Sequence, residues 1–178
     1  GAIISRIADS HLRVGSFEYH ARRGDHKRLQ QLVDYAIQRH YPEINSDADQ
    51  RLLDFLQAVI DKQISLVVHW LRVGFIHGVL NTDNCAISGQ TIDFGPCAMM
   101  DSYHPKQVFS SIDEYGRYAF NQQSSILQWN MARLAECLIP LCVQEKTAFI
   151  NQLQAVIADF EPKFNQQYQT MLCQKFGF

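Results

Sequence analysis

A mainly α-helical domain carrying one small β-hairpin is what this sequence predicts. Three observations carry that reading: two long apolar stripes at helical spacing, a third segment with the same period, and a short apolar pair on each side of a glycine turn. From Asp25, a suitable N-cap, Leu29, Leu32, Val33, Ala36 and Ile37 recur on one face until Pro42 ends a first helix. Ser46 to Asp49 reads as a capping-box variant. Leu52, Leu53, Leu56, Val59, Ile60, Ile64, Val67, Val68 and Leu71 then trace one apolar face of a helix of about 25 residues and about 40 Å. Gly74 stops it. Leu127, Met131, Leu134, Leu138 and Leu141 form the next stripe, closed by Pro140, and the pattern from Phe149 to Met171 makes one or two helices that Pro162 kinks or restarts.

Between the long helix and the second stripe, Ala86-Ile87, Ser88-Gly89-Gln90 and Thr91-Ile92 read as the hairpin. The segment from Pro96 to about Asn121 is expected to be loops and short helices, with its aromatic residues from Tyr103 to Tyr118 partly buried against one another. Residues 1–24 alternate short apolar positions with Arg and His and are expected to be a strand or an irregular entry segment. Arg23-Gly24-Asp25 spells an adhesion tripeptide but reads as the start of the helix that follows.

The 178 residues fit one domain, and 47% apolar with 11% aromatic residues suffice for a core. A net charge of -2 with scattered cations offers no basic stripe, so nucleic acid is not an expected partner. No apolar run approaches the roughly 20 residues of a membrane span, and no signal-peptide core is seen at the start, so a soluble protein is expected and no membrane partner. Five cysteines, an odd number without a CxxC pair, suggest neither zinc nor disulfides and fit a reducing compartment. Cys85 and Cys97 are read as small buried hydrophobes.

The chemistry is concentrated in His77-Gly78-Val79-Leu80-Asn81-Thr82-Asp83-Asn84, followed nine residues later by Asp93-Phe94-Gly95. Kinase-like enzymes set a loop ending in Asn ahead of an Asp-Phe-Gly turn because the amide and the carboxylate together hold the metal that bridges nucleotide phosphates. A long helix delivering the chain to that loop agrees with the C-lobe of a protein-kinase-like fold. The hairpin would set Asn84 and Asp93 at adjacent strand ends, within reach of one ion. The usual loop carboxylate is missing, since Val79 stands where an HGD-type loop has Asp and can neither accept a proton nor orient a nucleophile. A carboxylate returns at Asp83, which reads equally as a general base and as a turn cap. His77 is expected to brace the loop through backbone hydrogen bonds. Arg6 and Arg13 read by themselves as surface charge.

These stretches, with Ser5-Arg6-Ile7, Arg13-Val14-Gly15-Ser16-Phe17-Glu18, Thr91-Ile92-Asp93-Phe94-Gly95-Pro96, Phe109 to Asp113, Gly116-Arg117-Tyr118 and Gln128 to Glu136, resemble the SelO or YdiU-like family of pseudokinase-fold protein adenylyltransferases. The resemblance runs to about Leu141. It implies transfer of AMP from ATP to Ser, Thr or Tyr hydroxyls of proteins, with ATP bound in an orientation flipped relative to kinases. It further implies Asp83 as catalytic base, Asn84 and Asp93 as ligands of Mg2+ or Mn2+, Asp93 also contacting the nucleotide, and Arg6 and Arg13 on its phosphates. The expected location is the bacterial cytoplasm, or the mitochondrion for a eukaryotic source. Two other functions compete with this one: a phosphotransferase of kinase-like fold and a non-catalytic scaffold.

Members of that family place an N-lobe with a phosphate-binding loop and a lysine before this region. Here only Lys27 and Lys62 precede the loop, both on predicted helices. The expectation is a C-lobe-centred piece of a longer protein, with the N-lobe absent. Without that wall of the cleft the 178 residues alone should bind Mg-ATP weakly and turn over little. Labelling of a protein by this chain alone at a full enzyme's rate would contradict that.

Overall fold

The structure, a computed structural model, describes Ile3, Ser5 and residues 7–178. Among the described residues, six helices share one apolar core. From Ile7 the chain runs irregularly to Arg13 and then forms a helix, α1 (Val14–Arg22), where a strand or irregular chain was expected. Only Val14 and Phe17 are buried on it, so two anchors in nine residues carry no readable period; packing against α2 and α4 stabilises the helix instead. The Ser16 hydroxyl accepts the Arg13 N–H at 3.4 Å at its start.

Gly24, at φ +65°, turns the chain into α2 (His26–His40), and the Asp25 carboxylate accepts the Arg28 N–H at 3.2 Å. The tripeptide Arg23-Gly24-Asp25 is therefore a helix start, as expected. The long helix, α3 (Ala48–Val73), spans 26 residues and ends on Gly74, whose φ of +74° is the left-handed C-cap that glycine adopts without strain. Phe55, Leu56, Val59, Ile60, Ile64 and Val67 are all fully buried along it. Its start differs from the capping-box reading. Asp47 makes no side-chain cap, and Asp49 instead turns into the protein to accept the Val143 and Gln144 N–H groups, each at 2.8 Å.

The small sheet is not the expected hairpin. Strand β1 (Phe75–Ile76) pairs antiparallel with β2 (Ala98–Met99), Phe75 opposite Met99 and Ile76 opposite Ala98, so it closes around the motif-bearing segment. Between Ala86 and Ile92 the anticipated ladder shrinks to one bridge, Cys85 to Thr91. Its hydrogen-bonding groups are taken by other partners. The Ala86 carbonyl accepts from Gln63 Nε2, the Ile87 carbonyl accepts from the Tyr41 hydroxyl, and the Ile87 N–H donates to Leu12 at 3.0 Å. Ala86 also bridges to Arg13, with the Val14 N–H donating to Cys85 at 3.0 Å, so the entry segment lies along this turn.

From Met100 to Ala119 the chain is bends and turns, ending in a single 3-10 turn at Phe120–Gln122. The expected ring burial fails there. Tyr115 is 95% and Tyr103 77% exposed, Phe109 is exposed as well, and only Tyr118 is half-buried. Aromatic content alone says nothing about what covers it.

Helix α4 (Gln123–Leu138) follows the predicted stripe and relaxes into a 3-10 turn at Pro140. Glu145 caps α5 (Lys146–Ala158) by accepting the Thr147 and Ala148 N–H groups at 2.9 and 2.8 Å. Pro162 falls in the first turn of α6 (Phe160–Phe176), where a proline costs no hydrogen bond, so it restarts the helix. Phe17 of α1 and Tyr41 beyond α2 flank Phe55 of α3, with ring centroids 5.9 and 5.8 Å away. All five cysteines are free; Cys85 is buried, and Cys97 is half-buried against the core. Among the described residues no helix is long and apolar enough to cross a membrane.

Candidate active site

Strand β1 hands the chain directly to His77, which is fully buried. Its backbone N–H donates to Gln123 Oε1 at 3.0 Å, and Gln123 Nε2 donates to the Phe75 carbonyl at 3.0 Å. The Val79 N–H donates to His77 Nδ1 at 3.3 Å, which leaves the ring proton on Nε2 to donate to the Ile92 carbonyl at 2.8 Å. One imidazole thus ties the loop to the residue before Asp93. This is the bracing role the sequence predicted. Gly78, at φ +82°, completes the junction, because a Cβ there would sit 3.0 Å from both the Pro96 carbonyl oxygen and its Cγ. The two motifs are physically one unit.

Burial holds the His77 imidazole below its ordinary pKa, against smaller opposing contributions from the Ile92 carbonyl and the Asp93 charge. On acidification the unfolded chain therefore takes up this proton before the folded one. The contribution to stability is complete above the unfolded value of about 6.5 and is lost as pH falls through the lower folded value. His40, lowered chiefly by burial, acts with the same sign. The melting temperature should fall between pH 7 and pH 5, with a shallower slope in His77→Gln. A melting temperature that rises on acidification would contradict this.

Beyond Val79 the loop is set by amides. Asn81 Oδ1 accepts the Asn84 N–H at 3.0 Å around a 3-10 turn at Thr82–Asn84, and Asn130 Nδ2 donates to the Leu80 carbonyl at 3.1 Å. Asn84 is buried and its Nδ2 donates to the Val79 carbonyl at 2.8 Å, which fixes the amide plane and leaves Oδ1 as its remaining acceptor. Asp83 is exposed at the loop tip, and its backbone carbonyl accepts from Arg13 Nη1 at 2.9 Å. Its carboxylate lies against Gly15 in the first turn of α1.

Asp93 is exposed and holds a φ of +55°, with its carbonyl accepting the Gly95 N–H at 2.8 Å. Left-handed backbone is uncommon for a residue with a Cβ, although Asp tolerates it better than most. Such a conformation at a turn aims the carboxylate where an ordinary strand end would not. Asp93 lines a cavity of about 420 Å³ together with Arg13, His11, Thr91 and Phe94. Asp83 and Asn84 are not among the residues lining that cavity, and Arg13 is what joins the two groups. Arg6 lies outside the described residues.

Sequence reasoning missed three contributors. His11 borders the cavity and carries no motif signal. Asn81 could have been found, because an Asn three residues before Asn84 is a standard turn former. Asn130 is fully buried on the apolar stripe of α4, and a polar residue at such a position is the signal of a tertiary hydrogen bond.

The sequence profile of one family, Protein adenylyltransferase SelO, matches residues 1–178. The chain belongs to this family. The proteins named Protein nucleotidyltransferase YdiU from Teredinibacter turnerae, Pseudoalteromonas translucida and Nitrosococcus oceani are similar to it, at 50%, 52% and 54% identity over 99% of this chain. Those matches cover 37%, 38% and 36% of the respective relatives, so the chain spans a little over a third of their length. The HGVLNTDN and DFGP stretches thus stand in a family of protein adenylyltransferases.

Proposed function

We propose that these residues form the C-lobe part of the catalytic site of an ATP-dependent protein adenylyltransferase, acting on Ser, Thr or Tyr hydroxyls. The observation that carries the reading is the double engagement of Arg13. Its side chain shares a 420 Å³ cavity with Asp93 while Nη1 holds the Asp83 carbonyl at 2.9 Å. A cation placed so can sit on phosphate oxygens and keep the loop registered against them.

The donor set suits Mg2+ or Mn2+. Asn84 Oδ1 is left as acceptor once Nδ2 is committed to Val79, and the Asp93 carboxylate is exposed at the cavity; each is a hard oxygen of the kind that would hold such an ion, although Asn84 itself does not line that cavity. When bound, such an ion neutralises phosphate charge as the bond to the leaving group breaks. Asp83 is exposed at the loop tip, with Oδ1 of its carboxylate lying against Gly15. It accepts the hydroxyl proton as the oxygen bonds to the α-phosphorus and the α–β phosphoanhydride bond breaks. Pyrophosphate leaves with that electron pair, and AMP stays on the protein.

Val79 supports this reading over a phosphotransferase, because its side chain can neither accept a proton nor orient a nucleophile. The discriminating measurement uses ATP labelled at one phosphate, with a protein of the relatives' full length carrying these residues. Label from the α-position retained on a protein product is expected. Label from the γ-position on the product would establish phosphorylation, and neither would favour a binding scaffold.

A further inference from the structure

We propose that Gly15 is a positioning residue for the reaction, its missing side chain being the space in which the Asp83 carboxylate lies. This deepens the adenylyltransferase reading and rests on Asp83 as proton acceptor. Gly15 is the second residue of α1, and its backbone lies outside the left-handed region in which Gly24, Gly74 and Gly78 sit. The helix therefore does not require glycine there, and glycine is among the poorest helix formers. What requires it is the neighbour across the turn. A Cβ at position 15 would overlap Asp83 Oδ1 and lie 3.0 Å from Cγ.

Neither backbone can retreat easily. On one side the Val14 N–H is held by the Cys85 carbonyl at 3.0 Å. On the other the Asp83 carbonyl is held by Arg13 at 2.9 Å and the Asn84 N–H by Asn81 Oδ1 at 3.0 Å. A methyl group at position 15 must then be accommodated by rotating the carboxylate away. Displacing a reacting group by about 1 Å is worth about 100-fold in rate. Gly15 is not among the residues lining the cavity, so nucleotide binding should be spared.

The test is a double-mutant cycle of Gly15→Ala and Asp83→Ala in a protein of the relatives' full length, read by AMP-transfer kinetics and by melting temperature. Gly15→Ala is expected to lower kcat at least about tenfold with the KM for ATP within about threefold. In the Asp83→Ala background it should cost no further activity. There the nearest remaining atom is the Cα of residue 83 at 3.4 Å, an ordinary contact, so the alanine should raise the melting temperature through its helix propensity. Parent-like kcat in Gly15→Ala with Asp83→Ala inactive would overturn the proposal, as would an equal fall in melting temperature in both backgrounds. If Asp83→Ala itself keeps parent activity, the reading of Asp83 fails instead, and the thermal cycle still decides whether position 15 and the carboxylate share one space.

Discussion

Under the proposed reading, Asp83→Ala in a protein of the relatives' full length is expected to lower AMP transfer by about 100- to 10,000-fold, the range of a lost general base, and to leave the fold intact. The second half of that expectation follows from its exposure at the loop tip: the turn is made by Asn81 and the Asn84 N–H, and Arg13 bonds the backbone carbonyl of residue 83, not its side chain. Asp93→Ala is expected to cost at least tenfold for a different reason, because in the proposed site it removes a carboxylate that would hold the divalent ion. The variants separate on titration with Mg2+. Raising the ion concentration should recover part of the activity of Asp93→Ala and none of that of Asp83→Ala. Measurement of α-labelled AMP on protein across that titration checks both, and two variants with parent activity would remove both carboxylates from the catalytic machinery.

Phe55→Ala is expected to destabilise the fold by about 3–5 kcal/mol, the cost of removing a buried ring and leaving a cavity. Phe55 is fully buried and meets Phe17 and Tyr41, so the deletion loosens α1 and the end of α2 from α3 together. Urea denaturation of this chain and its variant measures the change. Because Tyr41 also holds the Ile87 carbonyl and α1 carries Gly15, the loss should reach the loop as well as the core. A change below about 1 kcal/mol would mean that neighbouring side chains refill the space.

Much of this architecture is legible in the residues alone. The 26-residue α3 and its stop at Gly74 follow from nine apolar positions at one period, and α4 follows from five. Two apolar anchors on α1 are too few to register against a segment rich in Arg and His. The hairpin misled because local alternation cannot report distant competitors. Gln63 and Tyr41, 23 and 46 residues away, claim the carbonyls that a ladder would have used. Within the site, the order of His77, Asn84 and Asp93 is readable because motif spacing encodes one loop and one turn. The bond from Arg13 to Asp83 is not, since 70 residues separate the partners and only the folded chain brings them together. The contact of Gly15 is invisible for the same reason.

The entry segment that walls the cavity has a consequence of its own. Asp9 and Gln90 exchange two hydrogen bonds, at 2.8 and 3.0 Å, Arg39 grips the Asp9 carbonyl, and His40 Nε2 meets the Ser10 hydroxyl at 2.9 Å, while Ile7 beside them is 97% exposed. This stretch is hasped by polar contacts where the helices are glued by apolar ones. Unlatching it forfeits bonds worth about 0.5–1.5 kcal/mol each and uncovers little oily surface, so it can swing free while the bundle stays shut. Amide exchange at Asp9 should accordingly outpace that in the middle of α3 by orders of magnitude.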